Sequence, residues 1–300
     1  VTVGRSSERG QGRKFQRVAG ELRSRMTDGT YRLRSFLPSE RDLAEELEVS
    51  RDTVQRALRE LADEGWIESR QGSGWRVVKA QRIQSATPKA TRSSRGGTLG
   101  PLISEVFEHA EVNLDVYTLT SETLDAHIRL QVERIRAGII RPQRIALRVL
   151  LPSESLVLPY PRNRDDRADD RPQKRLRAIG RRHTQSLRTM LRELATEKLV
   201  PSVELRIRHV PLVPVCKVYL LNGVEALHGM YEVIDRPMEL DDGEVITALD
   251  VLGLGATLTH HVKDGDPSSP GSVFVGSMQA WFDSVWDRLS GQEPLPTPGP

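Results

Sequence analysis

One cysteine, Cys216, stands in a chain of 300 residues. A lone thiol excludes an intrachain disulfide and any cysteine-based zinc finger. No stretch approaches the ~18–20 uninterrupted apolar residues of a membrane-spanning helix, so no membrane partner is expected. The first residues, VTVGRSSERGQGRK, lack the apolar core of a signal peptide, and the expected location is cytoplasmic. The seven histidines are scattered, and no acid together with several His shares helical spacing, so neither a metal nor a cofactor is expected. A G-x-S-x-G nucleophile elbow is missing. Gly253-Leu254-Gly255-Ala256 lacks the rest of a phosphate-binding loop and reads as a bend between strands. The expectation from these absences is a protein that is not an enzyme.

What is present begins with Leu37 to Val78, LPSERDLAEELEVSRDTVQRALRELADEGWIESRQGSGWRVV. Ser39 follows Pro38 and precedes Asp42 by three residues, the spacing of a helix N-terminus that caps itself. Leu43 and Leu47 share one face of that helix. Glu48-Val49 makes a short turn, and Ser50 is placed to cap a second helix with Asp52 in its first turn. Val54, Ala57, Leu58 and Leu61 follow the i, i+3, i+4, i+7 rule and face a core. The opposite face presents Arg51, Asp52, Gln55, Arg56 and Arg59. Two short alternating runs, Trp66–Arg70 and Trp75–Val78, flank Gly72-Ser73-Gly74 and predict a two-stranded ribbon. Helix, turn, helix and ribbon in this order are the layout of a winged helix-turn-helix, whose second helix enters the DNA major groove.

This stretch resembles the N-terminal DNA-binding domain of GntR-family bacterial transcription regulators. The shared pattern runs through Leu37-Pro38-Ser39-Glu40-Arg41, Leu43-Ala44, Val49-Ser50-Arg51, Thr53-Val54, Ala57-Leu58, Leu61, Glu64-Gly65, Gly72 and Gly74. The resemblance implies that Arg41 and Arg51 contact DNA, that Thr53 reaches a phosphate or base edge, and that Gly72 enters the minor groove. Ser50, Gln55, Arg56, Arg70 and Gln71 complete the expected DNA-binding set. Two positions depart from the family pattern. Asp52 stands where a neutral residue is common, and either caps the helix or accepts from a cytosine N4. Gln55 stands where arginine is frequent; glutamine pairs with adenine where arginine prefers guanine, so the half-site sequence is this protein's own.

The net charge of +3 is unevenly spread. Residues 1–79 carry 16 Lys/Arg against 13 Asp/Glu, and residues 80–98 carry four basic side chains and no acid. The remainder is therefore mildly acidic, which suits a domain that does not itself hold nucleic acid. Residues 79–98 are rich in Ser, Thr, Gly and Ala and predict a flexible basic linker, either a plain tether or one whose charges follow the DNA backbone.

Beyond the linker the pattern alternates between α and β. Leu102–Ala110 predicts a helix, 112–118 a strand, Leu124–Ile135 a helix and 145–151 a strand, the rhythm of a sheet with parallel neighbours. Residues 159–175 predict a mobile charged loop, and Leu176–Lys198 a long helix. Strands are expected near 203–209, 214–221, 228–234, 245–251 and 272–275. Met278, Trp281, Phe282, Val285, Trp286 and Leu289 mark an amphipathic terminal helix, whose stripe is either core or a shared dimer face. Cys216 reads as a small buried hydrophobe, with a thiol switch as the alternative. His260-His261 is expected to end a strand at the surface. This region is faintly similar to the phospholipase-D-like domains attached to some bacterial regulators. The catalytic His-x-Lys-x4-Asp of those enzymes is started by His261-Val262-Lys263 but not completed, which implies a non-catalytic relative.

The expected fold is thus an α+β winged helix-turn-helix domain over 13–78, a linker over 79–98, and an α/β effector-binding/dimerisation domain over 99–290. The expected function is a ligand-responsive repressor that binds an inverted-repeat operator as a homodimer; double-stranded DNA, a second copy and a small-molecule effector are the expected partners. The alternatives are a DNA-binding protein whose α/β domain only oligomerises, or one that retains phosphodiesterase-like hydrolase activity.

Overall fold

The computed structural model describes residues 17–23, 25–26, 30–32, 34–63, 66–70, 74–78, 82–85, 99–240, 243–253 and 256–289. They form a winged helix-turn-helix followed by a mixed α/β domain, as the sequence pattern predicts.

Helical residues 17–23 and 25–26 (α1) bury Val18, Leu22 and Met26 against the helix pair. The spacing of Phe15, Val18, Leu22 and Met26 predicts this stripe, and Phe15 lies outside the described residues. Helix α2, Glu40–Glu46, starts where the Ser39 hydroxyl accepts from the Asp42 backbone N–H at 3.2 Å. Glu48 takes a left-handed conformation, φ 53°, and turns the chain between α2 and α3, Arg51–Asp63. Val54, Ala57, Leu58 and Leu61 are fully buried, the stripe that their spacing predicts. Strands β1, Ile67–Arg70, and β2, Gly74–Val77, pair antiparallel with Ile67 opposite Val77 and Arg70 opposite Gly74. Gly74 sits at φ +88°, where a side chain would be strained. Trp66 closes this core from below, fully buried.

The second domain is three layers thick. Its central sheet has the order β3-β12-β9-β8-β4-β5-β7, with β3 at Arg82–Ser85. Strands β4 (Glu111–Tyr117), β5 (Arg144–Pro152) and β7 (Ser202–Val210) are parallel neighbours. Helices α5, Glu122–Arg136, and α6, Arg171–Thr196, are the crossovers that parallel pairing demands. Strands β8 (Cys216–Leu221), β9 (Glu225–Met230) and β12 (Thr257–Val262) continue the sheet antiparallel. One face is covered by α4 (Leu99–Phe107), α5 and α6, the other by α7, Pro270–Arg288. A small sheet of β10 (Glu232–Glu239), β11 (Val245–Leu252) and β6 (Arg162–Asn163) packs around Met238, Ile246 and Ala248.

Several expectations need correction. Within the expected linker, Arg82–Ser85 forms β3, parallel to β12 at the edge of the main sheet; backbone hydrogen bonding there does not require apolar side chains. The rest of that linker lies outside the described residues. The loop expected to be mobile over 159–175 is tied down by its own polar groups. Asn163 Oδ1 accepts from the backbone N–H of Asp165 and Asp166, and its amide donates to Asp169. Helix α6 begins at Arg171, ahead of the expected start. Residues 272–275 are helical, because the Ser269 hydroxyl accepts from the Ser272 N–H and Pro270 occupies the first turn. His260 is not at the surface: it is fully buried in β12, with Nε2 2.6 Å from Glu225 Oε2 on the neighbouring strand. Of the terminal stripe, Phe282, Val285 and Trp286 are buried, with the Phe282 and Trp286 rings stacked, while Met278 and Trp281 are half-buried and Leu289 is exposed. Cys216 is half-buried at the start of β8.

Candidate nucleic-acid interface

The exposed side of α3 carries Arg51, Asp52, Gln55, Arg56 and Arg59, and Arg41 is exposed on α2. These residues share one surface because the opposite stripe is consumed by the core. The Ser50 hydroxyl accepts from the Thr53 backbone N–H at 3.3 Å and lies 2.8 Å from the Thr53 hydroxyl. Ser50 and Thr53 therefore serve the helix start in the absence of DNA, and Thr53 is 8% exposed. Asp52 stands in the first turn without taking the capping position, where its charge favours the helix dipole. At the ribbon, Glu68 collects Arg70 Nε at 2.9 Å and Arg76 Nε at 2.8 Å. Burial opposes ionisation of the Glu68 carboxyl, but the bonds from Arg76 and Arg70 outweigh it and hold the group below its usual range. Arg70 is thus pre-positioned by Glu68, a residue that sequence reasoning passed over. Gln71 and Gly72 lie outside the described residues.

The back of the reader meets the α/β domain, and no sequence spacing announced this contact. Glu60, on the last turns of α3, accepts from Arg23 of α1 at 2.6 Å and lies 3.7 Å from Arg182 of α6. A Cβ at Gly20 of α1 would stand 2.8 Å from Arg129 Cδ of α5, so the small residue admits that side chain. Arg129 also donates to Ser186 of α6 at 2.7 Å. Trp66 donates its indole N–H to Glu122 at the start of α5. Partners this far apart in the chain leave no periodic trace.

The family described as "Bacterial regulatory proteins, gntR family" matches residues 14–77. Residues 14–77 are a GntR-family DNA-binding domain. Over 69 residues this chain is 42% identical to the Exu regulon transcriptional regulator of Escherichia coli strain K12, a match covering 23% of this chain and 27% of that protein. Over 57 residues it is 49% identical to the HTH-type transcriptional repressor PhnF of Mycolicibacterium smegmatis, covering 19% and 22%. Among solved structures, Streptococcus agalactiae GntR aligns over 42% of this chain and 62% of that one, with 24% identity and a TM-score of 0.20. The chain spans about a quarter of the length of the curated relatives it matches.

The family match ends at residue 77 and leaves the α/β domain unassigned. There the His261 ring lies flat on Phe274, centroids 3.7 Å apart, and burial lowers its pKa. Among the described residues no three His, Cys, Asp or Glu side chains cluster as metal ligands. Among the same residues no helix is long and apolar enough to cross a membrane.

Proposed function

We infer that the chain is a ligand-responsive transcriptional repressor that binds an inverted-repeat operator as a homodimer. A two-fold protein dimer presents two recognition helices and so calls for matching half-sites. Two relatives of the reader carry names that support the direction of control: the M. smegmatis protein is a transcriptional repressor, and that of Halalkalibacterium halodurans is an arabinose metabolism transcriptional repressor. Arg41, Arg51, Gln55, Arg56 and Arg70 are the residues that would hold and read the duplex, with Gln71 and Gly72 in the wing.

The observation that carries the ligand-responsive part is Glu60. It lies behind the DNA-facing surface of α3 and is shared between Arg23 of the reader and Arg182 of the α/β domain. A small shift of α6 acts directly on the rear of the recognition helix. A 100-fold change in operator affinity needs only about 2.7 kcal/mol of coupling.

The test starts with selection of a duplex from a random pool by the full chain, followed by titration of the selected site. Arg51→Ala is expected to weaken specific binding by about 1–3 kcal/mol while leaving weak non-specific binding in place. Binding should also fall steeply with salt, as phosphate contacts release counterions. Absence of duplex binding at low salt, or an unchanged affinity in Arg51→Ala, overturns the reading of α3.

A further inference from the structure

A cavity of about 260 Å3 opens between the carboxyl ends of β4, β5 and β7 and the first half of α6. Leu119 follows β4, Leu151 and Pro152 end β5, and His209 lies near the end of β7. In open α/β sheets this is the side on which ligands bind, because the loops and helix starts there leave room and polar groups.

Three features of α6 point into a binding role. Gly180 stands in the interior of a helix of 26 residues, and a Cβ built there would meet nothing within 4 Å. Glycine at such a position costs about 1 kcal/mol relative to alanine. No packing contact among the described residues explains it, and Gly180 lines the cavity. Gln173, 8% exposed, donates its amide N–H groups to Leu158 O at 2.9 Å and Pro161 O at 2.8 Å. The opposite side of that amide, Oε1, is buried with no partner among the described residues. One turn on, Arg177 joins the wall, while Arg181 is already answered by Glu154, with Nε at 2.8 Å from its carboxylate. The wall therefore keeps a surplus of positive charge. The floor is apolar, made by Leu119, Leu151, Leu156, Leu158 and Leu176.

We propose that this cavity binds a small organic anion, with its carboxylate on Arg177, its apolar body on the leucine floor and a hydroxyl or N–H donor facing Gln173 Oε1. The volume fits a compact molecule of roughly a dozen non-hydrogen atoms, at the low end of small-molecule sites. The site deepens the ligand-responsive reading above and rests on it for its regulatory meaning. The link is α6 itself: Arg181 borders the cavity, and the next residue, Arg182, reaches Glu60 behind the recognition helix.

The probe is 3-(4-hydroxyphenyl)propionate, titrated into the full chain by calorimetry beside its primary amide and beside 3-phenylpropionate. The hydroxy acid is expected to bind most tightly, with the amide weaker by about tenfold for loss of the charge-assisted bond and 3-phenylpropionate also weaker for loss of the donor. Arg177→Gln should bring acid and amide to equal affinity. Gly180→Leu should abolish binding of all three while the melting temperature stays the same or rises. Equal affinity for acid and amide in the unaltered chain, binding that survives Gly180→Leu, or no binding of any of the three at millimolar concentration overturns the proposal. Operator affinity is measured separately. Saturation of the cavity with unchanged operator affinity leaves the site standing and sinks only its role in regulation.

Discussion

Trp66 donates its indole N–H to the Glu122 carboxylate, across the boundary between the DNA reader and the α/β domain. Both side chains are buried, Trp66 completely. Glu122 sits in the first turn of α5, where a negative charge is already favoured by the helix dipole. One bond thus fastens the root of the wing to the start of a crossover helix.

Trp66→Phe keeps the apolar ring and removes the donor. A buried carboxylate left without this partner is expected to cost about 1–3 kcal/mol. Urea unfolding of the full chain measures it, and Glu122→Gln, which keeps an acceptor oxygen for the indole, should cost less. Equal stability of Trp66→Phe and the unaltered chain would remove this contact from the account.

Gly229 of β9 is expected to tolerate no side chain. A Cβ there would lie 2.7 Å from the Thr257 carbonyl oxygen and 2.6 Å from Leu258 Cδ2. The leucine can turn aside, but the backbone oxygen cannot without moving β12. Gly229→Ala should therefore lose about 1–3 kcal/mol, as overpacking does. A normal melting temperature for this variant contradicts the close approach of the two strands.

His127 gives the fold a dependence on pH. It lies fully buried on α5, and desolvation pushes its pKa down to about 4 from an ordinary 6.5. With the folded value below the unfolded one, the unfolded chain takes up the proton first as pH falls. Stability is then fully present above pH 6.5 and is lost progressively down to about pH 4, by a total on the order of 3 kcal/mol. His127→Leu should flatten this slope. Unfolding midpoints at pH 7, 6 and 5 decide it, and an unaltered slope in the variant rules the histidine out as its source.

Gly180→Ala tests helix α6 without any ligand. With open space around the new methyl, the variant is expected to gain about 0.5–1 kcal/mol from the reduced entropy cost of the helix. A loss of stability would mean that the position is packed against something after all.

The reader was legible because its determinants are local. Ser39 and Asp42, or Ser50 and Thr53, meet within three residues, and the stripe Val54-Ala57-Leu58-Leu61 depends only on helical geometry. The βαβ rhythm of 112–151 was legible for the same reason. Residues 272–275 read as a strand although their signal is also local: the β-branched and aromatic run Val273-Phe274-Val275 masks the cap at Ser269.

By itself, then, the order of residues determined the helix pair, its charged outer face and the alternation of helices and strands, since each follows from contacts a few positions apart. Only the folded chain decided that Arg82–Ser85 joins the sheet beside β12, that His260 is buried against Glu225, and that Glu60 stands between Arg23 and Arg182. Those pairings join segments separated by tens of residues or more. They depend on which surfaces the packed layers bring together, and no spacing along the chain encodes that.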